Sequence, residues 1–217
     1  MTRLVKKQYW YDTEALSKIP YKKLKNFKRG LTLCWEWMRA HNIELPGLIV
    51  TCEDRWVEKN YGLYHGFRRR EIAIDVGKCS FTKRLNGVLN QGGGIEDFTP
   101  EGVLCHEVGH HVDRVLGMQR NNRSWLSYSS QWIDVINHEE DVSRFEHNIL
   151  ESFAEAFRLF ITNPDLLRVG RLERYEFFVD KLGWRPIKPL TPWRVVLRGA
   201  SPAYKRMVAR WIERGIE

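Results

Sequence analysis

The sequence has no apolar run approaching the roughly 20 residues that a membrane-spanning helix needs, and it has no C-x-x-C pair. Its opening stretch, MTRLVKKQYWYDTEALSK, is basic and aromatic and lacks the apolar core of a secretory leader. Repeats and low-complexity tracts are absent too, which excludes solenoid, collagen-like and disordered readings. The four cysteines, Cys34, Cys52, Cys79 and Cys105, are widely scattered. Neither a disulfide framework nor a four-cysteine metal site is expected from them, and they read as reduced core residues. Cys105 adjoins His106, but neighbouring residues on a helix point about 100° apart and would not face one ion. The expectation is a soluble protein with no membrane association that stays in the cytoplasm.

Apolar and aromatic residues are plentiful. The chain has 217 residues, with 9 Trp, 10 Phe and 8 Tyr, enough to fill one sizeable core. The net charge of +8 is unevenly spread. Residues 1–30 carry nine Lys/Arg and two acids, residues 163–217 carry twelve and six, and residues 31–162 carry fourteen and nineteen. Basic ends therefore flank an acidic centre. Solvated surface is one explanation. A foothold for nucleic acid or another polyanionic partner is a second, and a cleft favouring basic substrates is a third.

Hydrophobic spacing predicts a helix over about 13–41, with a break allowed at Gly30, and strands at 48–54 and 70–76. Asn60-Tyr61-Gly62-Leu63-Tyr64-His65-Gly66 lies between the two strands and reads as a turn or a third short strand. A Gly-rich loop, 86–98, then feeds a helix that Thr99 caps and Pro100 opens, running to Gly117. Further helices are expected at 131–137, at 149–162 after Asn148, and at 202–214. Between the last two, the Pro-rich 184–193 reads as an extended arm. Three regions result: 1–47, basic and helical; 48–165, the core; and 166–217, a basic extension packed on it.

The segment His106-Glu107-Val108-Gly109-His110 carries the chemistry. Histidines at i and i+4 share one helix face and can reach one tetrahedral ion, the signature of zinc. Glu107 leans to the side of the metal, where it can take a proton from the attacking water and pass it to a leaving amine. Val103, Leu104, Val108, Val112, Val115 and Leu116 provide an apolar stripe away from the histidines. His111 lies off the ligand face.

A catalytic zinc needs a third protein ligand. A histidine at position 116 is ruled out, because that residue is Leu. Glu151 and Glu155, four apart on the otherwise apolar helix 149–162, are the carboxylate candidates. Each also has a structural explanation: a capping box with Asn148 for Glu151, and an i,i+3 pair with Arg158 for Glu155. Spacing alone leaves the two open.

LCHEVGHHVD and ESFAEAFRLF together resemble the catalytic domain of the anthrax lethal factor family, related to the bacterial Pro-Pro endopeptidases. The similarity covers about Thr99 to Pro164. It implies a gluzincin metallopeptidase with His106, His110 and Glu151 as zinc ligands and Glu107 as base. Glu155, orienting a ligand imidazole, and Asp113 would support the ligands. The family places a tyrosine some seven residues before the glutamate ligand, to stabilise the oxyanion. Arg144 stands there in this chain, so Arg144, His147 or Tyr128 is the substitute donor.

The expected fold is α+β and zincin-like: a small mixed sheet packed on two zinc-bearing helices, with extra helices at both ends. By the resemblance, the strand near 70–76 would border the cleft and take an extended peptide by strand addition. The expected function is zinc-dependent hydrolysis of a peptide bond, with a preference for basic sequences. Two alternatives stand beside it. One is a metallopeptidase that holds DNA through its basic ends. The other is a non-catalytic zinc protein of a phage or mobile element, associated with the virion.

Overall fold

The computed structural model describes residues 9–11, 17–51, 61–66, 70–80, 83–84, 96–119, 124–139, 141–142 and 146–187. Their order is β1 (Tyr9–Tyr11), α1 (Tyr21–Ala40), β2 (Gly47–Thr51), β3 (Gly62–His65), β4 (Glu71–Asp75), β5 (Lys83–Arg84), β6 (Glu96–Asp97) and α2 (Pro100–Gln119). A 3₁₀ turn (Leu126–Tyr128), α3 (Ser130–His138), α4 (Ile149–Thr162), α5 (Pro164–Gly170) and α6 (Leu172–Glu176) follow. A π turn, Phe177–Lys181, continues from α6. The chain is a mixed α+β protein.

Four strands form one sheet in the order β1-β2-β4-β3. β1, β2 and β4 run parallel, and β3 pairs antiparallel with β4, Leu63 opposite Ala73 and Tyr64 opposite Ile72. In β4, Ile72, Ala73, Ile74 and Asp75 are all buried, as befits a strand covered on both faces. The expectation that 70–76 borders the cleft is therefore corrected. β4 lies between β2 and β3, and among the described residues β3 is an edge strand, as β1 is at the other side. A pairing of two residues per strand, β5 with β6, stands apart from this sheet.

Helix α1 is continuous through Gly30, contrary to the break allowed there. Gly30 marks a close crossing instead: a Cβ at this position would stand 3.0 Å from Glu101 Cα of α2. Glu101 is buried and accepts hydrogen bonds from Arg29 and Asn26, which ties α1 to the first turn of α2. Thr99 Oγ1 accepts from Gly102 N at 3.2 Å, the expected cap, and the helix runs two residues past the expected end at Gly117.

Helix α2 also crosses α4 closely. A Cβ on Gly109 would meet Ala154 Cα at 2.8 Å, so only glycine lets the two backbones approach this far. That contact sets the distance between the two motif helices. Beneath them, Trp37, Trp132, Phe153, Phe157, Phe160, Phe178 and Trp184 pack edge to face and stacked. α1, α2, α4 and the 177–184 segment thus share one apolar core.

Asn163-Pro164 ends α4, as expected, and also starts α5, which the sequence pattern did not suggest. Asn163 Oδ1 accepts from Leu166 N, and Pro164 sits at a position where a helix needs no N–H. Among the described residues, no helix is long and apolar enough to cross a membrane. Residues 52–54 and 188–193, the loop 86–95, Arg144 and the helix expected at 202–214 lie outside the described residues.

Candidate metal centre

Helix periodicity stacks His106 over His110 on α2, with ring centroids 4.8 Å apart and planes nearly perpendicular. The close α2–α4 crossing brings Glu151, on the first turn of α4, across to both. His106 Nε2 lies 3.0 Å from Glu151 Oε2, and His110 Nε2 lies 3.4 Å from Glu151 Oε1. One donor atom from each of the three residues falls within 4.8 Å of the others. Two imidazole nitrogens and a carboxylate oxygen converging in this way could hold a metal ion.

Glu155, one turn further along α4, accepts from His106 Nδ1 at 2.6 Å. This fixes the tautomer: with the Nδ1 proton held by Glu155, Nε2 is the nitrogen turned towards Glu151. The other side of Glu155 is bound by Arg158, with Nη2 2.6 Å from Oε2 and Nε 3.2 Å from Oε1. Glu155 and Arg158 are both buried. The i,i+3 pair and the contact with a candidate ligand therefore coexist, since the two carboxylate oxygens accept from both partners. Burial alone would lower the His106 imidazole, but hydrogen bonding to Glu151 and Glu155 overrides it and holds His106 at about 10. Burial would raise Glu151 and Glu155. The two imidazoles overcome this for Glu151, Arg158 and His106 overcome it for Glu155, and both carboxyls fall well below the usual range.

Glu107 is buried beside the two histidines and faces the same cavity of about 650 Å³. Burial pushes its carboxyl above the ordinary value, and His106 and His110 oppose the shift. Edge strand β3 passes directly over it. A Cβ on Gly62 would stand 2.8 Å from Glu107 Oε1 and 2.9 Å from Val103 Cγ1, so a side chain there would displace the carboxylate. Tyr61 against Phe98, Tyr64 against Trp125, and Leu150 also line the cavity. Searched against protein-family models and against curated proteins, the chain matches none.

The remaining sequence candidates fall in different places. Asp113 is fully buried and accepts from Ser127 N at 2.8 Å. Among the described residues no hydrogen bond links it to a ligand imidazole, and it pins the 3₁₀ turn after α2. Burial raises its carboxyl to about 7, against hydrogen bonds from Ser127. His147 lines the cavity, whereas Tyr128 is half exposed on the 3₁₀ turn and is not among the lining residues. Arg144 lies outside the described residues.

His111, off the ligand face as expected, is fully buried. Its Nε2 is 2.5 Å from the Glu44 carbonyl, which can only accept, so Nε2 carries the proton. Nδ1 is then free to accept from the Tyr64 hydroxyl at 3.2 Å. The His111 ring thereby holds the wall of the cavity in place. No sequence signal marked this pairing, because β3 has only four residues and too little periodicity to orient Tyr64.

Arg158 is linked to the candidate ligand His106 through Glu155. Replacing Arg158 with Met should leave Glu155 holding His106 less firmly, and metal affinity should fall by about 10–100-fold. Chelator-competition titration of the variant measures this. An unchanged affinity would confine Arg158 to a packing role.

Proposed function

We propose that the chain is a zinc-dependent endopeptidase of the gluzincin type. One observation carries the reading: His106, His110 and Glu151 converge beside Glu107, in a cavity bordered by an antiparallel edge strand. The residue-level resemblance of the 106–113 and 151–160 motifs to the lethal factor and Pro-Pro endopeptidase families supports it. So does the α+β layout, a mixed sheet with two helices that carry the candidate ligands, which is compatible with a zincin-like domain. Two imidazoles and a carboxylate suit zinc better than magnesium or calcium, which prefer oxygen ligands.

When bound, zinc supplies a Lewis acid that polarises the scissile carbonyl and brings a water near neutrality in acidity. The chain's own residues do the rest. Glu107 takes the proton of the attacking water and delivers it to the leaving amine. Glu155 and Arg158 hold His106 in the ligating tautomer. His147, the described candidate donor that lines the cavity, takes the role of stabilising the oxyanion. The edge of β3 that no described strand pairs with accepts an extended peptide by strand addition. Asp97, Glu107, Glu151 and Glu155 line the cavity with no lysine or arginine among the described lining residues, which favours neutral or basic substrate side chains.

The test is cleavage of a peptide library by purified protein, with and without chelator, followed by zinc restoration. Cleavage that chelator abolishes and zinc restores is the expected result. Stoichiometric zinc with no cleavage of any library member would make the chain a non-catalytic zinc protein instead.

A further inference from the structure

Helix α1 works against its own stability along one face. From Lys18 to Trp35 the chain carries six Lys/Arg and no Asp or Glu. Lys23 turns inward, where its Nζ donates to the Gly77 carbonyl at 2.6 Å, and Arg29 bridges to Glu101. Lys22, Lys25 and Lys28 remain exposed, and among the described residues no hydrogen bond or ion pair engages them. They stand at i, i+3 and i+6, so like charges repel along one side of the helix. The first turn contains no acid, and the Pro20 cap makes no side-chain hydrogen bond. Cations thus crowd the end of the helix where the backbone dipole disfavours them.

A face needed only for solubility is served better by mixed signs. Local choices that oppose the fold tend to mark function. The opposite face of α1 leaves no doubt about which side points outward: Phe27, Cys34, Trp35 and Met38 are buried in the core. On the outer side, Tyr21 is 76% exposed, one turn before Lys25 and two before Lys28. An unpacked aromatic ring in a row of lysines offers a stacking platform beside a track for phosphates. A lipid surface would need a band of exposed apolar side chains, and this face has none.

We propose that the outer face of α1 binds single-stranded nucleic acid, with Lys22, Lys25 and Lys28 on the phosphates and Tyr21 stacked on a base. The surface acts independently of the metal cavity, so the proposal holds whether or not the chain cleaves peptides. It would bring the metal centre to proteins carried on a nucleic-acid strand.

Fluorescence anisotropy of the full chain with a labelled mixed-sequence single strand tests this, in the presence of chelator to remove any contribution from the metal. With about three phosphate contacts, affinity should fall roughly 20-fold as salt rises from 50 to 200 mM. Tyr21→Ala should weaken binding about tenfold. The variant K22E/K25E/K28E should abolish binding while keeping or raising Tm, because acids suit the start of a helix. That combination separates loss of a partner from loss of the fold. The proposal is overturned if the triple variant binds as well as the wild type, if no binding occurs at low salt, or if polyglutamate or anionic vesicles outcompete the strand.

Discussion

Glu107→Gln should retain the metal and the fold and lose about 10²–10⁴ in peptide turnover, the usual contribution of a positioned general base. Gln keeps the shape of Glu and removes the proton acceptor. The site gives reason to expect an intact fold. Glu107 lies against Gly62 beside Val103, where an isosteric side chain fits in the same space. Burial already favours its neutral form, so an uncharged amide adds no desolvation cost. It is not one of the three converging donors, so zinc content should match the wild type by elemental analysis. Turnover is to be compared at saturating substrate, since the missing base should act on kcat far more than on KM. A variant that binds zinc and cleaves at near wild-type rate would remove Glu107 from the mechanism.

The two motif helices were legible because their signals are local. Histidines four apart and a Thr-Pro start read directly as a helix with a ligand face. Choosing between Glu151 and Glu155 was harder, since each had a structural partner in its own helix. The structure shows why those partners do not compete with the site. Asn148 Oδ1 takes the Glu151 backbone N–H at 3.0 Å, leaving the carboxylate for the imidazoles. Arg158 shares Glu155 with His106. Features that depend on distant residues stayed hidden. β3 is an edge strand only because of the order in which the strands pair. Arg174 lies in a basic tail that reads as surface charge, yet it is fully buried. It donates to Glu146 at 2.6 Å and to Ser152 at 2.9 Å, and its guanidinium lies 5.8 Å from the Trp132 ring centroid. These partners come from three other segments, and no periodicity encodes them. Part of the positive charge at the C-terminal end is therefore structural. The exposed face of α1, in contrast, was visible as a charge run, and it is the exposure of Lys22, Lys25 and Lys28, with no ion pair to them among the described residues, that makes it a surface.

Glu151→Ala should abolish stoichiometric zinc binding with little change in the stability of the metal-free protein, while Glu155→Ala should weaken zinc binding by about 10–100-fold and chiefly destabilise the metal-free protein. The Glu151 side chain keeps 24% of its exposure at the mouth of the cavity, so truncating it opens space that water can enter. What disappears is the carboxylate oxygen between His106 and His110, leaving two imidazoles to hold the metal. Glu155 is 5% exposed, and Arg158 beside it is 2% exposed. Removing Glu155 takes the carboxylate from both the buried Arg158 guanidinium and the His106 imidazole, and breaking a buried pair from one side costs on the order of 3–5 kcal/mol. Thermal unfolding of both variants, with and without added zinc, distinguishes the two roles. Wild-type Tm should rise with zinc, because only the folded chain presents the site. Glu151→Ala should show a near wild-type Tm without metal and no rise with it. Glu155→Ala should melt well below wild type without metal. Glu155→Gln, which keeps an acceptor for His106 and Arg158, should recover part of that loss and still bind zinc. Should Glu151→Ala keep its zinc while Glu155→Gln loses it, the third ligand is Glu155, and the contact between Glu151 and the histidines belongs to the metal-free state alone.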